Sequence, residues 1–159
     1  MRTMRGRLFR MSFAIAVASS CCLGAPSEAR ATLGGDVASV ATNQQRMAAT
    51  RQVKKLASGE RHELQLASGI VIHEYVSTGG EVYAITWRGP RMPDLRELLG
   101  RYFTQLDHRD SRQRGGHHRM TLTGSDLVIQ SSGHRRSFVG RAWVPSLVPS
   151  SVNLDNVLE

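Results

Sequence analysis

The chain has 159 residues, a formal net charge of +8, 40% hydrophobic residues and only two cysteines. The length suits one domain rather than several, and no apolar run approaches the roughly 20 residues of a membrane-spanning helix. No P-loop, G-x-G-x-x-G, G-x-S-x-G or H-E-x-x-H motif occurs, so no nucleotide, hydrolase or zinc chemistry is announced by spacing.

Residues 1–31 read as a cleaved secretory signal peptide. Arg2, Arg5, Arg7 and Arg10 form a positive start, Met11 to Leu23 a short apolar stretch, and Ala29-Arg30-Ala31 places small residues at −3 and −1 of a cut. Cleavage there leaves residues 32–159 as a single domain of 128 residues. Five of the 21 Lys and Arg and one of the 13 acids go with the leader, so the net charge falls from +8 to +4. Export and this halved charge argue against a nucleic-acid partner. Both cysteines, Cys21 and Cys22, lie in the leader, which leaves the exported chain without a disulfide or a thiol nucleophile. A rival reading treats Ala18-Ser19-Ser20-Cys21 as a lipoprotein box that would anchor the protein at Cys21, though it lacks Leu or Val three residues before the cysteine. The expected location is periplasmic or secreted.

Asp36 as an N-cap, followed by Val37, Val40, Met47 and Ala48 among polar residues, predicts a short amphipathic helix within residues 36–50. Three strands follow at Arg61–Leu66, Ile70–Val76 and Glu81–Arg88. Ala67-Ser68-Gly69 and Ser77-Thr78-Gly79-Gly80 separate them as turns. Folding about Ser68 sets Leu64 opposite Ile72 and His62 opposite Glu74. Folding between Thr78 and Gly79 sets Ile72 opposite Ile85, Ile70 opposite Trp87 and Glu74 opposite Tyr83. Both turns gather Leu64, Leu66, Ile70, Ile72, Ile85 and Trp87 on one face, as the period of two requires.

Pro93 and Asp94 open a helix over residues 93–106, whose Leu95, Leu98, Leu99, Tyr102, Phe103 and Leu106 form one apolar stripe interrupted by Gly100. Residues 107–118 read as a mobile basic loop. Strand signals resume at Met120–Thr123, Asp126–Ser131 and Arg136–Val144. Pro145 and Pro149 end the pairing, and the tail at 145–159 is apolar enough to lie on the domain. The expected class is α+β: an antiparallel sheet from two β-meanders, in the order β-β-β-α-β-β-β, with one main amphipathic helix packed on it.

Several segments resemble a family of small exported bacterial proteins known as a domain of unknown function, DUF2844. They are Leu33-Gly34-Gly35, His73-Glu74-Tyr75-Val76-Ser77, the run Val82 to Pro90, and Pro93 to Gly100 followed by Tyr102-Phe103. Ser132-Gly133-His134, Gly140-Arg141-Ala142 and Pro145 to Pro149 complete the set. The resemblance covers nearly all of the exported chain and implies a stand-alone exported domain. It implies no activity and no functional residues.

Candidate sites therefore rest on the residues themselves. His73 and Glu74 are neighbours in a strand and point to opposite faces, so they cannot act as an acid–base pair. Glu74 with His62 and Tyr83, or His73 with Glu63, are the cross-strand alternatives. A Glu on the apolar face needs a partner, and a perturbed Glu74–His62 pair would mark a site; a half-exposed ion pair at the sheet end is the plainer account. His108, His117, His118 and His134 do not carry metal-ligand spacing, and neither a metal nor a cofactor is expected. Arg109, Arg112, Arg114 and Arg119 form an anion-binding patch or simply a solvated loop, with Asp107 and Asp110 partly neutralising it. Trp87, Arg88 and Arg91, between the first meander and the helix, are candidates for a binding rim, Trp and Arg being favoured at hot spots; Trp87 also falls on the core face. The leading expectation is a non-catalytic binding module of the cell envelope, facing an envelope protein or an anionic envelope surface. The alternatives are an envelope hydrolase using Glu74 and His62, and a structural component that assembles through its apolar tail.

Overall fold

The computed structural model describes residues 33–110 and 119–157; the leader at 1–31 and residues 111–118 of the basic loop lie outside them. Asp36 caps the first helix, α1 (Val37–Arg46), its carboxylate accepting from the Ser39 N–H at 2.9 Å. Four strands follow: β1 (Thr50–Leu56), β2 (Gly59–Gln65), β3 (Val71–Ser77) and β4 (Val82–Gly89). β1 is absent from the sequence reading. It is an edge strand with mostly solvated side chains, Gln52, Lys54 and Lys55 among them, so it carries no apolar alternation to find.

The expected long helix is broken. α2 (Leu95–Leu99) is capped by Asp94 and ends at Gly100, whose φ of +50° only glycine adopts comfortably. A 3-10 turn (Gly100–Tyr102) leads into α3 (Phe103–Asp110), so helix continues into the first residues of the expected loop. The second meander is β5 (Arg119–Thr123), β6 (Val128–His134) and β7 (Ser137–Trp143), followed by a 3-10 turn at Pro145–Leu147 and a last short helix, α4 (Leu154–Val157).

All seven strands form one antiparallel sheet in the order β1-β2-β3-β4-β7-β6-β5. The second meander thus docks by its last strand on the last strand of the first. This is the expected α+β class, with four strands rather than three in the first meander.

The first hairpin pairs as expected, with Leu64 opposite Ile72 and His62 opposite Glu74. The second does not: Ile72 faces Trp87, Glu74 faces Ile85 and Val76 faces Val82, with the register shifting between Tyr75 and Val76. The turn is one residue longer than expected, which alone would flip every β4 side chain to the other face. A bulge at Tyr83 adds a second residue and restores the faces. The apolar cluster survives, but Tyr83 does not lie opposite Glu74.

The two faces are covered differently. On one, Leu64, Ile72, Ile85, Trp87, Ile129 and Ala142 pack with Leu33 and Val40 and with Leu98, Leu99 and Leu106 of the helices. On the other, Tyr75, Tyr83 and Ala84 meet Leu56, Trp143 and the tail residues Leu147, Val148, Val152 and Leu154. The Leu33–Asp36 segment is pinned to the start of β4 by Gly34 N–H to Val82 C=O and Val82 N–H to Gly35 C=O, both 2.8 Å.

Candidate functional site

Two polar clusters sit back to back on β2, β3 and β4. On the helix face Glu74 is 1% exposed, and its Oε1 accepts a hydrogen bond from Asn43 Nδ2 of α1 at 2.9 Å. Its Oε2 has no hydrogen-bond partner. Burial pushes the Glu74 carboxyl up to about 7, against the opposing pull of the Asn43 bond and of Arg51. His62, opposite in register and 0% exposed, is held below its ordinary value by burial and by Arg51, with Glu60 opposing. Its Nε2 is 3.2 Å from Glu60 Oε2, without the alignment of a hydrogen bond. The two candidates are therefore neighbours, yet the hydrogen bond of Glu74 goes to Asn43 and the nearest acid to His62 is Glu60. Both side chains are buried, with the Glu74 carboxyl poised near neutrality and His62 held toward its neutral form.

On the opposite face the pleat lines up a row across the whole sheet. Gln52, Glu63, His73, Thr86, Arg141, Gln130 and Thr121 are successive cross-strand partners. Glu63 Oε2 lies 3.1 Å from His73 Nε2, and His73 Nδ1 lies 3.5 Å from Thr86 Oγ1. Farther along, Arg141 Nε donates to Gln130 Oε1 at 2.8 Å. Burial lowers His73 below its ordinary value, while Glu63 pulls it back up. The order carboxylate, imidazole, hydroxyl is that of a nucleophile relay, but Thr86 is only 9% exposed and its contact with His73 is long. The row's exposed end lies beyond it, where Arg141, Gln130 and Thr121 reach solvent beside Ser132, Val139 and Arg119.

A family match described as Protein of unknown function (DUF2844) spans residues 29–157. The chain belongs to the DUF2844 family. No curated protein and no solved structure matches it.

The remaining candidates scatter over this DUF2844 fold. Tyr83 lies on the tail face, its ring centroid 6.2 Å from that of Tyr75. Trp87 is 1% exposed in the core beneath Gly140, whereas Arg88 and Arg91 are exposed and do not share its environment. Of the four arginines considered for an anion patch, Arg119 is described with its side chain, exposed at the start of β5. His134 is exposed at the end of β6; His117 and His118 lie outside the described residues. Among the described residues no three His, Cys, Asp or Glu side chains gather as a metal site, and no helix is long and apolar enough to cross a membrane.

Thr86, Gln130 and Arg141 went unnoticed as site residues. Alternation within β6 and β7 does place Gln130 and Arg141 on the faces they occupy. Their meeting with Thr86 and His73 needs the β4–β7 pairing, for which the sequence carries no local signal.

Proposed function

We propose that this DUF2844 protein is an exported, non-catalytic binding module of the cell envelope, working through the uncovered end of its polar sheet face. The observation that carries the reading is the contrast between the two faces. Glu74 and His62, the pair a hydrolase reading would call on, are buried, Glu74 against Asn43 of α1. The row ending in Arg141, Gln130 and Thr121 is partly open to solvent, the tail reaching it through Asp155, 3.7 Å from Arg141. The tail turns Leu147, Val148, Val152 and Leu154 onto its own domain, which argues against assembly through it.

Export is supported by the charged, then apolar, then small-residue order of residues 1–31, and the family match begins at residue 29, leaving almost all of that leader outside it. An anionic envelope component is the favoured partner, because the open end presents arginines. The test is intact mass of the protein recovered from the periplasm, followed by affinity capture from that fraction through a C-terminal tag. An N-terminus at Thr32 with a co-purifying envelope component supports the reading; full-length chain confined to the cytosol overturns it, and a lipidated Cys21 replaces free export with anchoring.

A further inference from the structure

We infer that the groove across β5, β6 and β7 binds a phosphate monoester carried on a sugar-sized group. This rests on the binding reading above and names the ligand's chemistry. The groove is shallow and open to solvent, has a volume of about 380 Å³, and its lining includes Arg119, Thr121, Gln130, Ser132, Val139 and Arg141. That is the small end of ligand-site volumes.

The lining combines cationic and hydrogen-bonding groups with an apolar surface. Two guanidinium groups, two hydroxyls and one amide face the same space, and no carboxylate is among the described lining residues. Arg119 and Arg141 sit two strands apart and one row apart along the sheet. With strands about 4.8 Å apart and about 3.3 Å of rise per residue, their backbones are about 12 Å from each other; Arg141 is turned toward Gln130 and Trp143, so both forks meet on one anion only once it swings toward Arg119. Arg88 of β4 pairs with Val139, which makes it a diagonal neighbour of Arg141 at about 7–8 Å. Three cations thus share one patch, which favours the approach of an anion.

Arg141 is held in one place by its neighbours. Gln130 takes its Nε, and its guanidinium lies 5.5 Å from the centre of the Trp143 ring. Its other polar neighbour is the exposed Asp155, 3.7 Å from Nη2, well beyond the 2.7–2.9 Å of a strong charge-assisted bond. Val139, 51% exposed, supplies an apolar floor against which a sugar's carbon face can rest. Two guanidinium forks call for a ligand group with close to two charges and several acceptors. A phosphate monoester carries −1.5 to −2 at neutral pH and three acceptor oxygens, whereas a carboxylate carries one charge.

The test is calorimetric titration of the purified protein with glucose 1-phosphate, glucose and inorganic phosphate, alongside flotation with phosphatidylcholine vesicles with and without phosphatidate. Saturable binding of glucose 1-phosphate but not glucose is expected, weakened about tenfold or more by Arg119→Ala at an exposed position that leaves the melting temperature unchanged. Arg141→Lys, which keeps charge but loses the fork, should weaken it likewise. Binding to phosphatidate vesicles without binding to the soluble ester would assign the monoester to a lipid headgroup. Equal binding of glucose, an unchanged affinity in Arg119→Ala, or no binding to any phosphate probe overturns the inference. Capture of the same envelope partner by Arg119→Ala and by the wild type would remove the phosphate site while leaving the binding module standing.

Discussion

Asn43 of α1 donates to Glu74 of β3 at 2.9 Å, so the first helix is fastened to the sheet through a buried carboxyl. The second oxygen of that carboxyl has no hydrogen-bond partner. A charged Glu74 is therefore only half compensated, and its protonation and the seating of α1 are linked.

The linkage has a definite sign. With a folded value of about 7 against an ordinary 4.5, Glu74 binds its proton more tightly folded than unfolded. Its contribution to stability thus declines as pH rises from about 4.5 to 7, by up to about 3 kcal/mol. Glu74→Gln keeps the acceptor for Asn43 and removes the titration. Urea unfolding at several pH values should show the variant gaining on the wild type across that window and staying level with itself above it. A constant difference would refute the linkage.

The histidines act in the opposite direction. Burial holds His62 and His73 below 6.5, so their unfolded forms take up protons first and folding weakens as pH falls below about 6.5. Replacing the fully buried His62 by Leu should make the acid limb of the stability curve shallower. An acid limb as steep as the wild type's would show that His62 does not contribute to it.

Gly100 separates two accounts of the 95–110 segment. Inside a regular helix, Gly→Ala stabilises by about 0.5–1 kcal/mol. At a φ of +50° and ψ of −120° the same change should destabilise. The sign of the shift in unfolding midpoint decides between a continuous helix and the observed break.

Gly140 lies where a side chain would run into the indole of Trp87. Gly140→Ala should cost about 1–3 kcal/mol through overpacking and alter the fluorescence of Trp87, read against Trp143→Phe as background. Unchanged stability would mean that the two strands approach less closely.

Leu64, Ile72, Ile85 and Trp87 could be assigned to one face from alternation alone, and that assignment held through a two-residue change of register because pleat parity is preserved. Tyr83 could not be placed, because a bulge depends on how the longer turn is reconciled with the core. β1 escaped notice because a solvated edge strand has no apolar period. At the candidate site, the His73–Glu63 pair was legible from one hairpin, whereas the row through Thr86, Arg141 and Gln130 requires strands from both meanders.

The order of amino acids by itself determined the α+β class, the two meanders, the apolar stripe of α2 and α3 and the pairing of His62 with Glu74. Each of these depends on residues within one turn or one hairpin of each other. Only the tertiary structure decided that β7, rather than β5, joins β4, that α1 closes over Glu74, and that Arg88, Arg119 and Arg141 share an open face. Those arrangements depend on burying the sheet's apolar side against helices far away in the chain, and no local pattern encodes which distant surfaces will meet.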